Sequence, residues 1–339
     1  MENQFIAASG KLSSNLGATR RAGLIGAMAL ALSVAASLPS PALAQSFPSG
    51  SVSIVIPFAA GGTTDVLARK MAPMLQKKWG QPVIVENRPG AGSVVATQHV
   101  AKASPNGQTI LLTDFSLSTN QVLMKTLPYD LDKDLRPVVS VAEWPLAITV
   151  DAKLGIKTLP ELVEYSKKHR VNYGSFGIGT APNLVMELFK SQTGMTIEHI
   201  PYKGVAPVFL ALAAGEIQVT VMGAGAARTR VQNGDLIALG LDSKSDLLPN
   251  VPTFAQAGYP NMRAPAWWGI VAPRGTPDAT VAALNQAFNE VLTDPGIKEF
   301  LVSQGYAVGG GSSVDMGRLI QESIALWGPV VKKANIVLE

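Results

Sequence analysis

Residues 54–69 read IVIPFAAGGTTDVLAR and place the strongest constraint on how the chain folds. The apolar, β-branched run 52–56 has the length of a buried strand, residues 57–62 interrupt it, and a helical pattern follows. Strand, glycine turn and helix in that order predict an α/β unit. Gly61 and Gly62 remove side chains where the backbone must turn. Thr63 or Thr64 can cap the helix, leaving backbone N–H groups of its first turn pointing outward. Such an end attracts anions, favouring a nearby negative charge by about 0.3–1 kcal/mol, and by up to ~2 kcal/mol when partly buried. An ordinary capped turn accounts for the same residues, and residue chemistry alone leaves both readings open.

The unit repeats. Gln81-Pro82 leads into a strand over 83–86, the turn NRPGAG at 87–92 and a helix over 93–103. Ser104-Pro105-Asn106-Gly107 then sets up a strand over 108–113 and a polar, hydroxyl-rich loop over 114–120. Three consecutive βα units predict a parallel sheet. Strands over 138–141 and 146–150 flank Glu143-Trp144-Pro145, after which the pattern restarts. Thr158-Leu159-Pro160-Glu161 has capping-box spacing and begins a helix running to 169. A strand over 171–175 enters the glycine-punctuated GSFGIGTAPN at 174–183, followed by a helix over 184–193 that Gly194 stops. Later, Trp267 and Trp268 alternate on a strand over 267–272, so one should face the core and the other a cleft or solvent. A helix opening at Thr276-Pro277 aligns Val281, Leu284, Phe288 and Val291 on one face, and two more helices follow.

The full chain of 339 residues accommodates about two domains at the usual ~100–200 residues each. Residues 1–44 read as a secretory signal peptide: Arg20 and Arg21 precede an apolar run over 22–36, and Ala42-Leu43-Ala44 forms an A-x-A cleavage site. The run falls short of the ~20 apolar residues that a membrane span needs. Ala22-Gly23 stand where twin-arginine signals place a bulky apolar residue, which favours general secretion. The chain has no cysteine, which excludes disulfides, thiolate metal sites and a cysteine nucleophile. Removal of residues 1–44 takes away Lys11, Arg20, Arg21 and Glu2, and the formal charge falls from +4 to +2. Basic residues are scattered, so no nucleic-acid partner is expected.

Gly90-Ala91-Gly92, Gly177-Ile178-Gly179 and Gly223-Ala224-Gly225 each lack the third glycine of a dinucleotide fingerprint, and no Walker A sequence is present. His99, His169 and His199 stand far apart without ligands at metal spacing. Neither a cofactor nor a metal is expected. Ser175 in Tyr173-Gly174-Ser175-Phe176-Gly177 departs from a nucleophile elbow, because the preceding glycine is adjacent rather than two residues away. A hydrogen bond to a ligand is the better-supported role for it. Asp65 either complements the positive end of its helix or fixes a ligand's ammonium or the loop geometry.

Together these stretches resemble the periplasmic solute receptors of tripartite tricarboxylate transporters, the Bug family. The resemblance spans essentially all of the chain after residue 44. It rests on PFAAGGTTD at 57–65, GQPVIVENRPGAG at 80–92, LPYD at 127–130, YGSFGIGTAPN at 173–183, HIPYKG at 199–204, LPNVPT at 248–253 and APRGTP at 272–277. It implies an α/β fold of the periplasmic-binding-protein type II kind, with two lobes, a hinge and a ligand cleft between them. On that pattern residues 45–150 and 265–339 form a discontinuous first lobe, and 151–264 the second.

In relatives, a ligand carboxylate is held by backbone N–H groups and hydroxyls of two glycine loops, partly through water. Carried onto this chain, the resemblance implies Phe58, Ala60, Gly61, Gly62, Thr63, Thr64 and Asp65 on one side. On the other it implies Ser175, Phe176, Gly179 and Thr180, with Asn183 where relatives often carry histidine. It also implies a non-catalytic, monomeric periplasmic receptor. Such a receptor passes a small organic carboxylate to the large and small membrane subunits of a permease, without inserting into the membrane itself. A ligand-sensing partner of a membrane kinase is the rival reading, and a secreted hydrolase using Ser175 a more distant one. The neutral Thr220-Val221-Met222 and the atypical 114–120 run depart from the family. They disfavour an amino acid whose ammonium needs several carboxylates and leave mono- or dicarboxylates, with Trp144, Phe176 or Trp267 as an aromatic wall.

Overall fold

A computed structural model describes residues 47–336 and Leu338; the signal peptide read at 1–44 lies outside the described residues. The opening stretch forms strand β1 (Val52–Ile56) and helix α1 (Thr63–Trp79). Leu67, Met71 and Leu75 recur every fourth residue on the buried face of α1, which ends at Gly80 in the left-handed conformation, φ 66°. The next units supply β2 (Val83–Asn87), α2 (Val94–Ala101), β3 (Thr109–Asp114) and α3 (Ser116–Leu123). A one-turn helix α4 (Leu131–Asp134) then leads into β4 (Leu135–Glu143). As the repeated units predict, β1 pairs in parallel with β2 and with β3.

The chain then builds a second sheet from β5 (Leu146–Asp151), β6 (Asn172–Ser175), β7 (Glu198–Pro201), β8 (Val219–Gly223) and β9 (Leu236–Leu241). Its helices are α5 (Leu159–Ser166), α6 (Ala181–Thr193), α7 (Val205–Ala214) and α8 (Ala224–Gln232). It returns through β10 (Trp267–Pro273), α9 (Asp278–Leu292), α10 (Pro295–Ser303), β11 (Ala307–Gly310) and α11 (Ser313–Lys333). The first sheet runs β11-β4-β10-β3-β1-β2 and the second β7-β6-β8-β5-β9. A central core joins Leu117 and Leu123 of α3, Leu184 and Val185 of α6, and Trp327 and Val330 of α11; separate cores fill the outer faces of the two sheets.

Three features differ from the sequence reading. Residues 114–120, read as a loop, mostly lie in α3. No apolar period marks this segment, but Asp114 accepts from the Ser116 backbone N–H at 3.0 Å and starts the helix, and the Ser118 hydroxyl donates to the Ile320 carbonyl of α11 at 3.2 Å. The strand at 146–150, read as the end of the first lobe, pairs with β8 and β9, so the chain changes sheets at Trp144-Pro145. Finally, Trp267 and Trp268 are both buried. Trp267 donates to Ser323 Oγ at 2.9 Å, and Trp268 packs on Trp144 and Tyr306 with ring centroids 5.0 and 4.7 Å apart.

The two passages between the sheets run side by side. Trp144 N–H donates to the Ala266 carbonyl at 3.1 Å, and Asp242 N–H donates to the Leu146 carbonyl at 3.0 Å. The Leu146 N–H in turn donates to Asp242 Oδ1 at 2.7 Å. Desolvation pushes the Asp242 carboxyl up to about 7 against the opposing effect of that bond.

Candidate functional site

The carboxyl ends of strands from both sheets face a common cleft of about 460 Å³. Pro57 and Phe58 follow β1, Asp114 ends β3, Phe176 follows β6, and Met222 and Gly223 end β8. In open α/β sheets this is where ligands bind. Trp144 closes one side at the passage between sheets, and its ring meets Phe115 edge-on with centroids 6.1 Å apart. The lining contains no Lys, Arg or His among the described residues.

Polar character comes instead from backbone and hydroxyl groups, the Asn120 amide and the Asp114 carboxyl. Gly90, Ala91, Gly92 and Ser93 all have positive φ (144°, 45°, 57° and 80°). Ala91 and Ser93 carry side chains in a region that costs of order 1–3 kcal/mol each to hold. The resulting turn lies in the cleft lining at the head of α2, and the Val94 N–H just beyond it donates back to the Ala91 carbonyl. Asn120 Nδ2 donates to the Gly92 carbonyl at 2.7 Å and fixes this turn from α3. Across the cleft, Thr180 and Ala181 present the start of α6, where Pro182 occupies the first turn.

Of the residues singled out in the sequence, Phe58, Phe176, Gly179 and Thr180 line this cleft. Ala60, Gly61 and Gly62 are exposed in the turn beyond Phe58, Thr63 is half-buried and Thr64 is buried. Asp65 is turned into the fold, where it ties the turn together. It accepts from Gly61 N–H at 2.9 Å, Asn87 Nδ2 at 2.9 Å and Arg69 Nε at 3.0 Å, while Asn87 also donates to the Phe58 carbonyl at 3.0 Å. The Arg69 bond above all, with those from Gly61 and Asn87, holds the Asp65 carboxyl down to about 2 against the cost of burial. Asp65→Ala is expected to lower stability by about 2 kcal/mol near neutral pH, the usual worth of hydrogen bonds to a charged group, as read by urea unfolding. This contribution is present above the ordinary carboxylate range and fades as pH falls through about 2, so the variant and parent should converge in strong acid.

Ser175 and Asn183 are buried behind the lining. Asn183 Oδ1 accepts from Gly179 N–H at 2.9 Å, which leaves Nδ2 to donate to Tyr173 Oη at 2.8 Å and to His199 Nδ1 at 3.4 Å. That assignment puts the imidazole proton on Nε2, 2.7 Å from Ser175 Oγ. Ser175 therefore accepts from His199 and donates to the Gly177 carbonyl at 2.9 Å. The histidine, kept neutral by burial, holds no lone pair toward the serine, so this pair lacks the polarity of a nucleophile and its base. Its effect is to fix the loop carrying Phe176, Gly179 and Thr180.

Sequence reasoning did not name Gly90, Ala91, Gly92, Ser93, Leu123 or Leu338 as site residues, and drew on the 114–120 run and Thr220-Val221-Met222 only for the class of ligand, not for contacts by Asp114 or Met222. The doubled glycine at 90 and 92 was a usable signal. Leu338, however, reaches the lining only because its N–H bonds to the Leu123 carbonyl at 2.8 Å, a contact without local sequence signature. Trp144 and Phe176 of the three expected aromatic walls line the cleft, and the buried Trp267 does not. Among the described residues no group of His, Asp or Glu is arranged to hold a metal, and no helix is long and apolar enough to cross a membrane.

Comparison with known proteins decides the family. Residues 67–336 match the family model described as tripartite tricarboxylate transporter family receptor. The chain belongs to that receptor family. A protein of Bordetella pertussis named BugT is 34% identical over 310 residues, covering 90% of this chain and 95% of BugT. Among solved structures, R. palustris Rpa4515 with adipate superposes with a TM-score of 0.73 at 33% identity, covering 86% of this chain and 99% of that one. MatC from Rhodopseudomonas palustris with bound malate gives 0.70 at 31% identity, covering 84% and 100%. The chain has the two-sheet α/β architecture of periplasmic binding proteins, superposing on the structure of periplasmic binding protein BugD with a TM-score of 0.71 at 29% identity, covering 86% of this chain and 100% of that one.

Proposed function

We propose that this receptor captures a small organic carboxylate in the periplasm and delivers it to the membrane subunits of a tripartite tricarboxylate-type transporter, without catalysis. The observation carrying this reading is the cleft between the two sheets, lined by the Gly90–Ser93 turn at the head of α2 and by the start of α6, with no cationic side chain among its described lining residues. Adipate and malate in the similar structures favour the same ligand class. The carboxylate lies against the backbone N–H groups of Ser93 and Ala181, the hydrocarbon part runs between Phe58, Trp144, Phe176 and Met222, and the exposed turn at 60–62 closes beside Phe58. The two sheets act as lobes about the paired passages at Trp144 and Ala266, so binding drives closure through contacts made by both at once.

Residues 45–339 should show a rise in melting temperature with one class in a panel of mono-, di- and tricarboxylates. Ligand at ~100 times its dissociation constant adds about 2.7 kcal/mol. Thr180→Asp puts a carboxylate at the α6 cap, where aspartate is a favoured residue, so the fold should keep or gain stability while ligand affinity drops at least tenfold. Unchanged affinity in that variant would place the anion elsewhere. Loss of uptake, rather than of transcriptional induction, in a deletion strain separates delivery from sensing.

A further inference from the structure

Asp114 is the one ionisable side chain among the described residues that line the cleft. Its Oδ1 is committed: the backbone N–H of Ser116 donates to it at 3.0 Å, and the Ser116 hydroxyl donates to the same atom. Because the Ser116 hydroxyl proton is used there, the oxygen accepts from Ser93 Oγ, 2.6 Å away. The Ser93-Ser116 chain thus points its donors toward Asp114 and locks the carboxylate at the end of β3. Oδ2 receives no hydrogen bond from any described residue. A carboxylate in a cleft this apolar lacks part of the hydration it would have in water, and a donor from elsewhere restores it.

We propose that Asp114 sets the selectivity of this cleft, favouring carboxylates that bear an ammonium or hydroxyl donor beyond the anchoring carboxylate over simple dicarboxylate dianions. This rests on the carboxylate-receptor reading and narrows it. The anchoring carboxylate takes the neutral N–H donors of the Gly90–Ser93 turn and the α6 start; the second polar group meets Asp114. A second carboxylate there faces a like charge with no lysine or arginine in the lining to offset it, whereas an ammonium or hydroxyl donates to the free oxygen. Burial raises the Asp114 carboxyl above its ordinary range, and an ammonium beside it favours the ionised form that a second carboxylate disfavours.

The test is calorimetry on residues 45–339 with chain-matched sets: adipate, its ω-amino and ω-hydroxy analogues and hexanoate, then the same set built on succinate and on terephthalate. In the best-binding set the amino or hydroxy member should bind at least tenfold tighter than the dicarboxylate. Asp114→Asn keeps an acceptor for Ser116 and should erase or invert that order, with the dicarboxylate gaining affinity; a melting curve confirms that it folds. A dicarboxylate that binds the unaltered protein tightest overturns the proposal and leaves the carboxylate-receptor reading standing. So does an order that Asp114→Asn leaves unchanged. If no member of any set binds, the receptor reading itself fails and the proposal falls with it.

Discussion

Trp144→Ala should cost about 3–4 kcal/mol of stability and weaken carboxylate binding more than tenfold, a double loss that follows from where the indole sits. Its ring contacts Phe115, Trp268 and Tyr306 with centroids 6.1, 5.0 and 5.9 Å away, and the same ring walls the cleft. Truncating a large aromatic in a packed cluster removes both the transfer energy and the contacts around the void, typically about 3–5 kcal/mol. The lower end applies because Trp144 is only partly buried. Trp144→Phe should recover most of both losses. Urea unfolding and titration with the best ligand measure the two effects separately, and a stability change under about 1 kcal/mol would show that the aromatic cluster is not a structural hub.

A second large effect concerns pH. Asp242 has a carboxyl raised to about 7 by burial, so the folded protein holds its proton more tightly than the unfolded chain does. Below about pH 4 the group is protonated in both states and has no effect. Between about pH 4 and 7 stability falls as pH rises, and above that the full penalty of the buried charge applies, at most about 4 kcal/mol from the size of the shift. Asp242→Asn retains an acceptor for the Leu146 N–H and removes the charge. The variant should match the parent at pH 4, exceed it by a few kcal/mol at pH 8, and show a flatter stability profile between. Equal destabilisation at both pH values would instead mean that the ionised carboxylate is what the Leu146 contact requires.

The glycine-turn units were legible in the sequence because their signals are local: β-branched runs, paired glycines and apolar residues at helical spacing fix β1, α1 and the parallel β2-β1-β3 arrangement within a few residues. The family pattern likewise carries the two-sheet fold. What stayed hidden depended on partners distant in sequence. The 114–120 segment is helical because Asp114 and Ile320 satisfy its polar groups, not because its own residues favour helix. Strand β5 has no mark distinguishing one sheet from the other; β8 and β9 choose for it. Asp65 could be read as ligand contact or loop brace from its position alone, and only the convergence of Gly61, Arg69 and Asn87 shows the brace. Leu338 illustrates the limit most simply, since nothing around it in sequence points to a cleft whose first lining residues, Pro57 and Phe58, stand more than two hundred positions earlier.

Helix α11 leans on both α3 and α6, which belong to different sheets, and Lys333 Nζ reaches the Ser191 carbonyl at 3.0 Å. The paired passages at Trp144 and Ala266 define an axis, and this helix touches both sides well away from them in sequence. A body joined along an axis can still swing and twist; a third support off that axis removes one of those freedoms. Any separation of the two sheets must therefore slide α6 along α11 or carry α11 with it. The range of motion is set by how far the Lys333 tether and the apolar seam at Val330 and Val331 can shear before they part.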